Sequence, residues 1–301
     1  LPVHITRTYR SKSEGIGPFG QGGSFTYHLS LSVVGTALRL QLADQSRYLF
    51  SQDPDGKYRN TSYPFLKGAA ITRLGTTDEL RWRDGMVYVF NSAGWLIEQR
   101  DRYNNKIQIL RDGSNLITEI KNPAGQALTF TYTTVRRGHN YFPVIASITD
   151  PVGRTVRYAY HEFHNGRLAS VMDPAGGVTR YTYGEQAQTY YWNEGMLSIT
   201  DARGITYLQN QYDANGRVAK QILADGGTYS FAYTLAGQTV TQTTVTDPRG
   251  NATIYRMNGS QYVTEVERPG SNVTTYERET GTNKLTAVVD PLSRRTEFTY
   301  D

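Results

Sequence analysis

Residues 212–233, YDANGRVAKQILADGGTYSFAY, decide the fold that we predict for this chain. The stretch begins with the Tyr212-Asp213 pair and reaches a turn at Asn215-Gly216, where both residues tolerate a positive φ. A short strand then leads to a second, glycine-rich turn. The strand after it alternates small polar residues with three aromatic ones, Tyr229, Phe231 and Tyr233. The stretch therefore predicts a self-contained β-hairpin.

The hairpin recurs along the chain with a period of 21–28 residues, which is typical of a protein built from repeated structural units. The marker of each unit is Asp or Asn, usually followed by Pro, with Gly in the fourth position. Clear copies of the marker begin at Asn122, Asp150, Asp173, Asp201 and Asp247. Looser copies, which bring the total to about nine units, begin at Asp101, Asp225, Arg268 and Asp290.

The residue types of the marker suit a tight turn. Aspartate accepts hydrogen bonds from backbone N–H groups two residues further on, proline fixes φ, and glycine adopts the conformation that closes the turn. We therefore interpret the aspartates as turn formers rather than as acids. The predicted structural motif consists of Tyr212, Asp213, Gly216, Arg217, Asp150, Pro151, Gly153, Asp173, Pro174, Gly176, Asp247, Pro248 and Gly250.

Aromatic residues mark the second half of the units. In four units a tyrosine stands ten residues after the marker, and another aromatic residue stands two residues before that tyrosine. Side chains two apart on a strand share one face, so each hairpin adds about two rings to one face of a growing sheet. The predicted wall aromatics are Phe130, Tyr132, Tyr158, Tyr160, Tyr181, Tyr183, Phe231, Tyr233, Phe298 and Tyr300.

The composition agrees with an all-β protein. The 301 residues include 23 Tyr and 10 Phe, which favour half-buried strands, and 29 Gly and 11 Pro, which favour turns. The net charge of +5 is spread along the chain, so we expect no nucleic-acid partner. No stretch approaches the roughly 18 apolar residues of a membrane helix. The absence of cysteine excludes disulfides, thiol catalysis and zinc sites made of cysteine.

The sequence divides into two predicted regions, a pre-repeat β-region over residues 1–90 and the repeats over residues 91–301. The first region contains a glycine-rich stretch, residues 15–24, which predicts a compact irregular loop. Alternation with polar residues predicts that one strand holds Phe25, Tyr27, Leu29 and Leu31. Because the chain begins with Leu1 and shows no signal peptide, we expect it to be a fragment of a longer protein.

Several motifs resemble the Rhs/YD-repeat family. Residues 212–218 read Tyr-Asp-x-x-Gly-Arg-Val, with Asp-Pro-x-Gly downstream, and residues 165–168, Asn-Gly-Arg-Leu, form another copy. Arg-Thr-Tyr at 7–9 followed by Gly-Pro-Phe-Gly at 17–20 resembles the segment that precedes the repeats in Rhs proteins. One departure is Gly23, where the family commonly has Trp before the Ser.

The resemblance covers roughly residues 90–301 and implies the N-terminal part of a repeat region. The implied fold is all-β, with successive antiparallel β-hairpins that form a long, curved, spiralling sheet, here a partial YD-repeat shell. Related proteins are the bacterial Rhs polymorphic toxins, the B/C shell of insecticidal toxin complexes, and the teneurins. In the bacterial proteins the shell encloses a C-terminal toxin.

The resemblance thus implies a secreted or cell-surface bacterial protein, used in bacterial competition, whose shell encapsulates and helps to deliver a toxin outside this chain. The implied partners are the remainder of the shell, the toxin domain and secretion-system components. We predict no enzymatic activity and no cofactor. We also expect residues 290–301 to expose an edge strand through which copies of the fragment associate.

Three candidates for chemistry are weak. The segment 161–164, His-Glu-Phe-His, is one residue short of a helical zinc motif and precedes a turn, so we favour a loop over a metal site. The segment 53–56, Asp-Pro-Asp-Gly, has Ser62 where a calcium loop has its last glutamate, so we favour a plain turn. Ser24 follows two glycines but has Thr26 where a nucleophile elbow has glycine.

The rows of Tyr and Phe support an alternative function. Exposed rings two residues apart could stack on sugars, which would make the chain a cell-surface adhesin or a carbohydrate-binding repeat module. We favour packing of the rings within the wall, because isolated hairpins without a covered face are unstable.

Overall fold

The computed structural model describes residues 1–162, 166–184 and 195–300. These residues form 29 β-strands and one short 3-10 helix, Pro64–Leu66, and none of them lies in an α-helix. The predicted fold class is confirmed, because the protein is all-β and consists of successive antiparallel β-hairpins. The chain forms two compact units, Leu1–Tyr181 and Thr182–Asp301. The predicted boundary at residue 90 lies inside the first unit and stays a prediction.

The first unit begins with two small ribbons. One pairs β1 (Arg7–Tyr9) with β4 (Gly23–Phe25), and the other pairs β2 (Ile16–Gly17) with β3 (Gly20–Gln21). A long run follows, in which each strand pairs antiparallel with the next. Its strands are β5 (Ser30–Val34), β6 (Ala37–Gln41), β7 (Arg47–Gln52), β8 (Tyr58–Arg59), β9 (Ala70–Leu74), β10 (Thr77–Arg81), β11 (Val87–Asn91), β12 (Leu96–Arg100), β13 (Lys106–Arg111), β14 (Ile117–Lys121), β15 (Ala127–Arg137), β16 (Asn140–Thr149), β17 (Thr155–Tyr160), β18 (Leu168–Met172) and β19 (Val178–Tyr183).

The single strand predicted around Phe25 is wrong. Phe25 ends β4, whereas Leu31 lies in β5, and the chain turns between them where the His28 N–H donates to the Phe25 carbonyl at 2.8 Å. The four apolar side chains of the predicted strand are nevertheless at most 5% exposed. The alternation therefore reflects burial on both sides of a turn rather than one continuous strand.

Residues 1–29, which we call the N-terminal cover, pack on one face of the strands of the first unit. Phe19, Phe25 and Tyr27 are at most 2% exposed and belong to the same hydrophobic core as the strand residues. The centre of the Phe25 ring lies 6.3 Å from that of Phe130, and the centre of the Phe19 ring lies 4.8 Å from that of Tyr158. Burial of each such side chain contributes roughly 1.5–3 kcal/mol, so the cover stabilises the wall beneath it.

The glycine-rich loop of the cover allows close contacts between backbones. A Cβ atom at Gly23 would lie 2.3 Å from the carbonyl oxygen of Phe19. A Cβ atom at Gly20, where φ is 82°, would lie 2.0 Å from the carbonyl oxygen of Gly166. No side chain fits at Gly23 in this backbone.

The second unit continues the same pattern of antiparallel neighbours. Its strands are β20 (Met196–Thr200), β21 (Thr206–Tyr212), β22 (Val218–Leu223), β23 (Thr228–Ala236), β24 (Thr239–Thr246), β25 (Ala252–Met257), β26 (Val263–Arg268), β27 (Asn272–Arg278), β28 (Leu285–Val289) and β29 (Arg295–Glu297). Among its described residues, the buried hydrophobic side chains are those of Val266, Ala287 and Tyr183, the last of which ends β19 just beyond the boundary between the units. Most of the described strand residues of this unit are half-buried.

A search for membrane-spanning helices over the described residues found none of sufficient length and apolarity.

Candidate functional site

One turn geometry closes many of the hairpins. At Asp150, the Gly153 N–H donates to the Asp150 carbonyl at 3.0 Å, and the Asp150 N–H donates to the Arg154 carbonyl at 2.9 Å. The Asp150 Oδ1 atom accepts the N–H groups of Val152 at 3.0 Å and Arg154 at 2.9 Å. Gly153 has a φ of 88°. This is a three-residue loop with a left-handed glycine at its end.

The other predicted turn residues occupy the same places. Pro151, Pro174 and Pro248 stand directly after the opening residue, where a fixed φ suits the turn. The same pair of backbone bonds closes the turns that open at Asn122, Asp173, Asp201, Asp213 and Asp247. The glycines that end these turns, all with positive φ, are Gly125, Gly176, Gly204, Gly216 and Gly250.

The structure has the turn predicted at Asn215-Gly216. The Asp213 N–H donates to the Arg217 carbonyl at 2.8 Å, so three residues form the loop, and of these Gly216 alone has a positive φ, 69°. Asp213 Oδ1 accepts the Asn215 N–H at 2.8 Å, a bond that holds the loop in this form. Arg217 Nε donates to Asp213 Oδ2 at 3.2 Å, and its guanidinium lies 5.2 Å from the centre of the Tyr233 ring.

The loose marker at Asp225 is displaced. The Leu223 N–H donates to the Gly227 carbonyl at 2.8 Å, and the Gly226 N–H donates to the Leu223 carbonyl at 3.0 Å. Leu223 therefore opens this turn. Tyr233 then stands ten residues after the opening, as a tyrosine does in the copies that open at Asn122, Asp150 and Asp173.

Hydrogen bonds lower the pKa of several turn aspartates. For Asp201 the largest cause is the bond from the Arg203 side chain, followed by the Ile205 N–H. For Asp247 the side chain of Asn251 is the largest cause, followed by its backbone N–H. A general acid or base works best when its pKa is near the operating pH, and these pKa values move away from it.

A β-bulge recurs in the hairpins. In the β13–β14 pair, Leu110 lies opposite Glu119 and Arg111 lies opposite Ile117, so Thr118 is an extra residue. Other hairpins have the same bulge, in which the second strand has one extra residue at the corresponding place. A bulge interrupts the ladder of hydrogen bonds, so the carbonyl group beside the extra residue needs another donor.

A side chain of the next hairpin supplies that donor, in a contact that we call the bulge latch. The Tyr132 hydroxyl donates to the carbonyl oxygen of Ile117 at 2.9 Å, and the Tyr160 hydroxyl donates to that of Ile145 at 2.6 Å. In the second unit the equivalent bonds join Tyr233 to Val218 at 2.8 Å and Tyr300 to Leu285 at 2.7 Å, and the Tyr212 hydroxyl likewise donates to the Met196 carbonyl at 2.8 Å. The latch ties each of these hairpins to the one before it.

The donor of the bulge latch is not always tyrosine. Arginine or glutamine side chains donate to the corresponding carbonyl groups in three hairpins. These bonds run from Arg111 to Leu96 at 3.0 Å, from Arg278 to Val263 at 3.0 Å and from Gln261 to Val240 at 2.9 Å. The position therefore needs a long side chain with an O–H or N–H group, rather than an aromatic ring as such.

The two aromatic residues of a unit have different surroundings. In the first unit the earlier ring faces the N-terminal cover. The Arg7 guanidinium lies 5.7–5.8 Å from the ring centres of Phe19, Tyr158 and Tyr181, and donates to the Tyr181 hydroxyl at 3.0 Å. The later residue is the latch tyrosine, and burial raises the pKa of Tyr132 to about 12. The rows of rings are thus held by cation–π contacts, by packing against the cover and by hydrogen bonds of the hydroxyls.

The remaining wall aromatics range from buried to exposed. Phe130 and Tyr183 are 8% and 5% exposed, whereas Phe231 is half-buried. Phe298 and Tyr300 follow the last strand, which ends at Glu297, and are 40% and 36% exposed.

Folding brings together one pair that the sequence did not reveal. Ser24 Oγ lies 3.0 Å from His28 Nδ1, the contact that a serine nucleophile needs with its base. Ser24 is 0% exposed, however, so no substrate reaches its hydroxyl.

The two other candidates occupy turns. Arg59 donates to Asp53 and to Asp55 at 2.7 Å each, which makes an exposed ion-paired turn. His161 Nε2 contacts the carbonyl oxygen of Tyr181 at 3.1 Å. Residues 163–165, which include the second histidine of the proposed metal motif and part of one repeat copy, lie outside the described residues. Within the described ranges no group of three His, Cys, Asp or Glu residues could hold a metal.

Family models match two parts of the chain. The model described as RHS Repeat matches residues 212–253, and the model described as a domain of unknown function, DUF6531, matches residues 1–50. A search of curated proteins found no match.

Similar solved structures come from toxin complexes. The TcdB2-TccC3-Cdc42 structure shares 12% identity at a TM-score of 0.49, over 94% of this chain and 17% of that one. The TcdB2-TccC3-TEV structure shares 12% identity at a TM-score of 0.45, over 99% of this chain and 20% of that one. The Photorhabdus luminescens Tc holotoxin pore shares 11% identity at a TM-score of 0.38, over 99% of this chain and 20% of that one. The chain thus spans 17–20% of the length of these proteins, and at such scores the likeness carries no argument about function.

The RHS Repeat match begins at the Tyr212-Asp213 turn and includes the marker at Asp247. It lies among hairpins that share one turn geometry and one bulge latch, so the matched segment is representative of the repeats around it. Residues 212–253 therefore match an RHS repeat, as the resemblance to the Rhs/YD-repeat family predicted.

Proposed function

We propose that this chain is a segment of a β-shell, and that the complete shell encloses a toxin encoded beyond these residues and helps to deliver it. The role of the chain is structural rather than catalytic. The bulge latch supports this proposal, because a side chain of one hairpin bonds to the backbone of the hairpin before it. Repeats that bond mainly to their neighbours can be added in series to build a long wall.

The proposal includes the partners and location of the whole protein. The partners are the remainder of the shell, the enclosed toxin and components of a secretion system, and the protein acts after secretion or at the cell surface. Self-association of the fragment through residues 290–301 also belongs to the proposal, since β29 pairs with β28 and its other edge has no partner strand in the described part of the second unit.

The second candidate, an adhesive or carbohydrate-binding module, is less well supported. The latch hydroxyls of Tyr132, Tyr160 and Tyr233 donate to backbone carbonyl groups. A tyrosine platform for sugars would need exposed ring faces, whereas burial raises the pKa of Tyr132 and of Tyr160. A glycan array probed with the 301-residue chain tests this alternative, and saturable binding to one class of polysaccharide would favour it.

Protection from proteolysis tests encapsulation in the full-length gene product that contains this chain. We expect a C-terminal domain inside the shell to be cleaved far more slowly than the same domain expressed alone. The double variant Tyr132→Phe and Tyr160→Phe weakens the wall and should speed cleavage, whereas Tyr141→Phe, at a residue 68% exposed, should not. Equal cleavage of the enclosed and the isolated domain would refute the proposal.

A further inference from the structure

The N-terminal cover places an arginine between two tyrosines of the first unit. Tyr158 in β17 and Tyr181 in β19 stand at the same position of consecutive repeats, and the Arg7 guanidinium lies 5.7 Å from the centre of each ring. It also donates to the Tyr181 hydroxyl at 3.0 Å. A guanidinium within about 6 Å of a ring centre is attracted by the π-electrons of the ring. The two rings and the hydroxyl therefore form a cation site, which Arg7 occupies.

The register of the strands defines the space between these two tyrosines. Tyr158 lies opposite Val171, and Val171 lies opposite Thr179. Thr179 stands two residues before Tyr181 and so shares its face. The two rings thus belong to strands with one strand between them, about 10 Å apart, and a valine-threonine pair forms the floor of the space.

The second unit repeats this arrangement. Tyr255 in β25 lies opposite Val266, and Val266 lies opposite Thr274, which stands two residues before Tyr276 in β27. Both rings stand eight residues after the marker of their repeat, as the two tyrosines of the first unit do. Val266 and Thr274 are 4% and 9% exposed, so the floor is closed. We call the space between Tyr255 and Tyr276, above this floor, the tyrosine gap.

No arginine of the described residues fills the tyrosine gap. Tyr255 is 37% exposed, and among the described residues neither its ring nor that of Tyr276 contacts a cation or another ring. The Tyr276 hydroxyl has no hydrogen-bond partner there and is not a buried polar atom, so solvent reaches it. Arg278, two residues further on, instead donates to the Val263 carbonyl at 3.0 Å and lies 5.0 Å from the centre of the Tyr262 ring.

The carboxylates of the three strands at the tyrosine gap do not face it. Glu265, Glu267 and Glu277 alternate with the residues of the gap, so their side chains point to the opposite face of the sheet. Recognition of a cation in the gap therefore rests on the two rings and the hydroxyl. This favours a guanidinium over an ammonium, because a guanidinium is planar, stacks on rings and is more weakly hydrated.

We propose that the tyrosine gap binds an arginine side chain of an extended partner segment, as the first unit binds Arg7. The guanidinium lies between the rings of Tyr255 and Tyr276 and donates to the Tyr276 hydroxyl. The segment carries an aromatic side chain near its arginine, because Phe19 completes the contact in the first unit, 5.8 Å from the Arg7 guanidinium. This inference goes beyond the shell function and does not depend on it.

A short peptide added to the 301-residue chain tests the proposal. The probe is the peptide Thr-Arg-Thr-Tyr, residues 6–9 of the sequence, in which the arginine and the tyrosine share one face of an extended chain. We expect saturable shifts of the Tyr255 and Tyr276 ring signals in NMR spectra at millimolar peptide. Citrulline in place of the arginine keeps its shape without the charge, and lysine keeps the charge without the planar group. Each should bind about threefold more weakly or worse.

Two variants of the chain locate the binding. Tyr276→Phe keeps the ring but removes the acceptor, and Tyr255→Leu removes one ring, and each should weaken binding about threefold or more. The matched control is Tyr141→Leu, which removes a ring that is 68% exposed in the first unit and should leave the affinity unchanged. The proposal is overturned if binding is not saturable at millimolar peptide, if the citrulline or lysine peptide binds equally well, or if Tyr255→Leu and Tyr141→Leu have equal effects.

Discussion

Removal of one latch hydroxyl tests whether the bulge latch stabilises the wall. Tyr160→Phe keeps the ring and deletes the hydroxyl that donates to the Ile145 carbonyl at 2.6 Å. Ile145 is 0% exposed, and its own N–H donates to the Pro18 carbonyl at 2.8 Å. The substitution therefore leaves a buried acceptor without this donor, at a place where the N-terminal cover also meets the wall.

The size of the effect follows from this burial. A hydrogen bond contributes about 0.5–1.5 kcal/mol net, and a buried group left without a partner costs about 1–3 kcal/mol. We expect Tyr160→Phe to lower the free energy of unfolding by about 2 kcal/mol. In a unit of this size each kcal/mol shifts Tm by about 2–4 °C, so the transition of the first unit should fall by about 4–8 °C.

Calorimetry is the suitable assay, because two compact units can unfold in separate transitions. The control is Tyr141→Phe, which removes a hydroxyl from a side chain that is 68% exposed and should change stability by less than about 0.5 kcal/mol. If Tyr160→Phe is as stable as this control, the latch does not stabilise the wall and the reasoning is refuted.

Three other predictions concern the turns and the buried hydroxyls. Asn122→Ala should lower the free energy of unfolding by about 1 kcal/mol, because Asn122 Oδ1 accepts two backbone N–H groups. Asn122→Asp keeps an acceptor oxygen and should cost less, and urea unfolding of the two variants measures the difference. Gly153→Ala should lower the free energy of unfolding by about 1–2 kcal/mol in the same assay, because the φ of Gly153 is 88°. Gly153→Asn should cost less, because Asn115 occupies the corresponding position of another turn with a φ of 62°. Burial raises the pKa of Tyr132 to about 12, whereas that of tyrosine in an unfolded chain is about 10. The folded protein therefore keeps the full stabilisation from the neutral hydroxyl below about pH 10 and loses it as the pH rises towards 12. Tm should therefore fall more steeply over that range in the natural chain than in Tyr132→Phe, and parallel curves would contradict the assignment.

The fold was predictable because turn chemistry is local. Asp150, Pro151 and Gly153 act within five consecutive residues, and each accepts a bond or sets φ without help from the rest of the chain. A marker repeated every 21–28 residues therefore predicts hairpins even where the strands themselves are weakly patterned. The residues that open individual turns were less predictable. The turn assigned to the marker at Asp225 opens at Leu223, because pairing of the flanking strands decides which residues close it.

The bulge latch could not be predicted, because its acceptor is a backbone carbonyl that no side chain identifies. Tyr132 and Tyr160 each bond to a residue 15 positions earlier, in a different hairpin, and only the bulge makes that carbonyl available. The sequence did contain a regularity that matches the contact. Each tyrosine that stands ten residues after a marker also stands 15 residues after an aliphatic residue, as Tyr132 does after Ile117 and Tyr160 after Ile145. The contact between Ser24 and His28 carries no such signal, because it depends on how the cover packs on the wall.

The latch position accepts side chains of different chemistry, so the sequence can vary there while the hairpins remain connected. The position requires only a donor that reaches the preceding hairpin, which Tyr132 meets with its hydroxyl and Arg111 with Nε. Tyrosine has one polar group, so the latch uses it fully. Arginine has three nitrogen atoms, and Arg111 also donates from Nη1 to the Asn115 carbonyl at 2.7 Å, so a substitution at this position can change the charge of the wall while the hairpins remain connected.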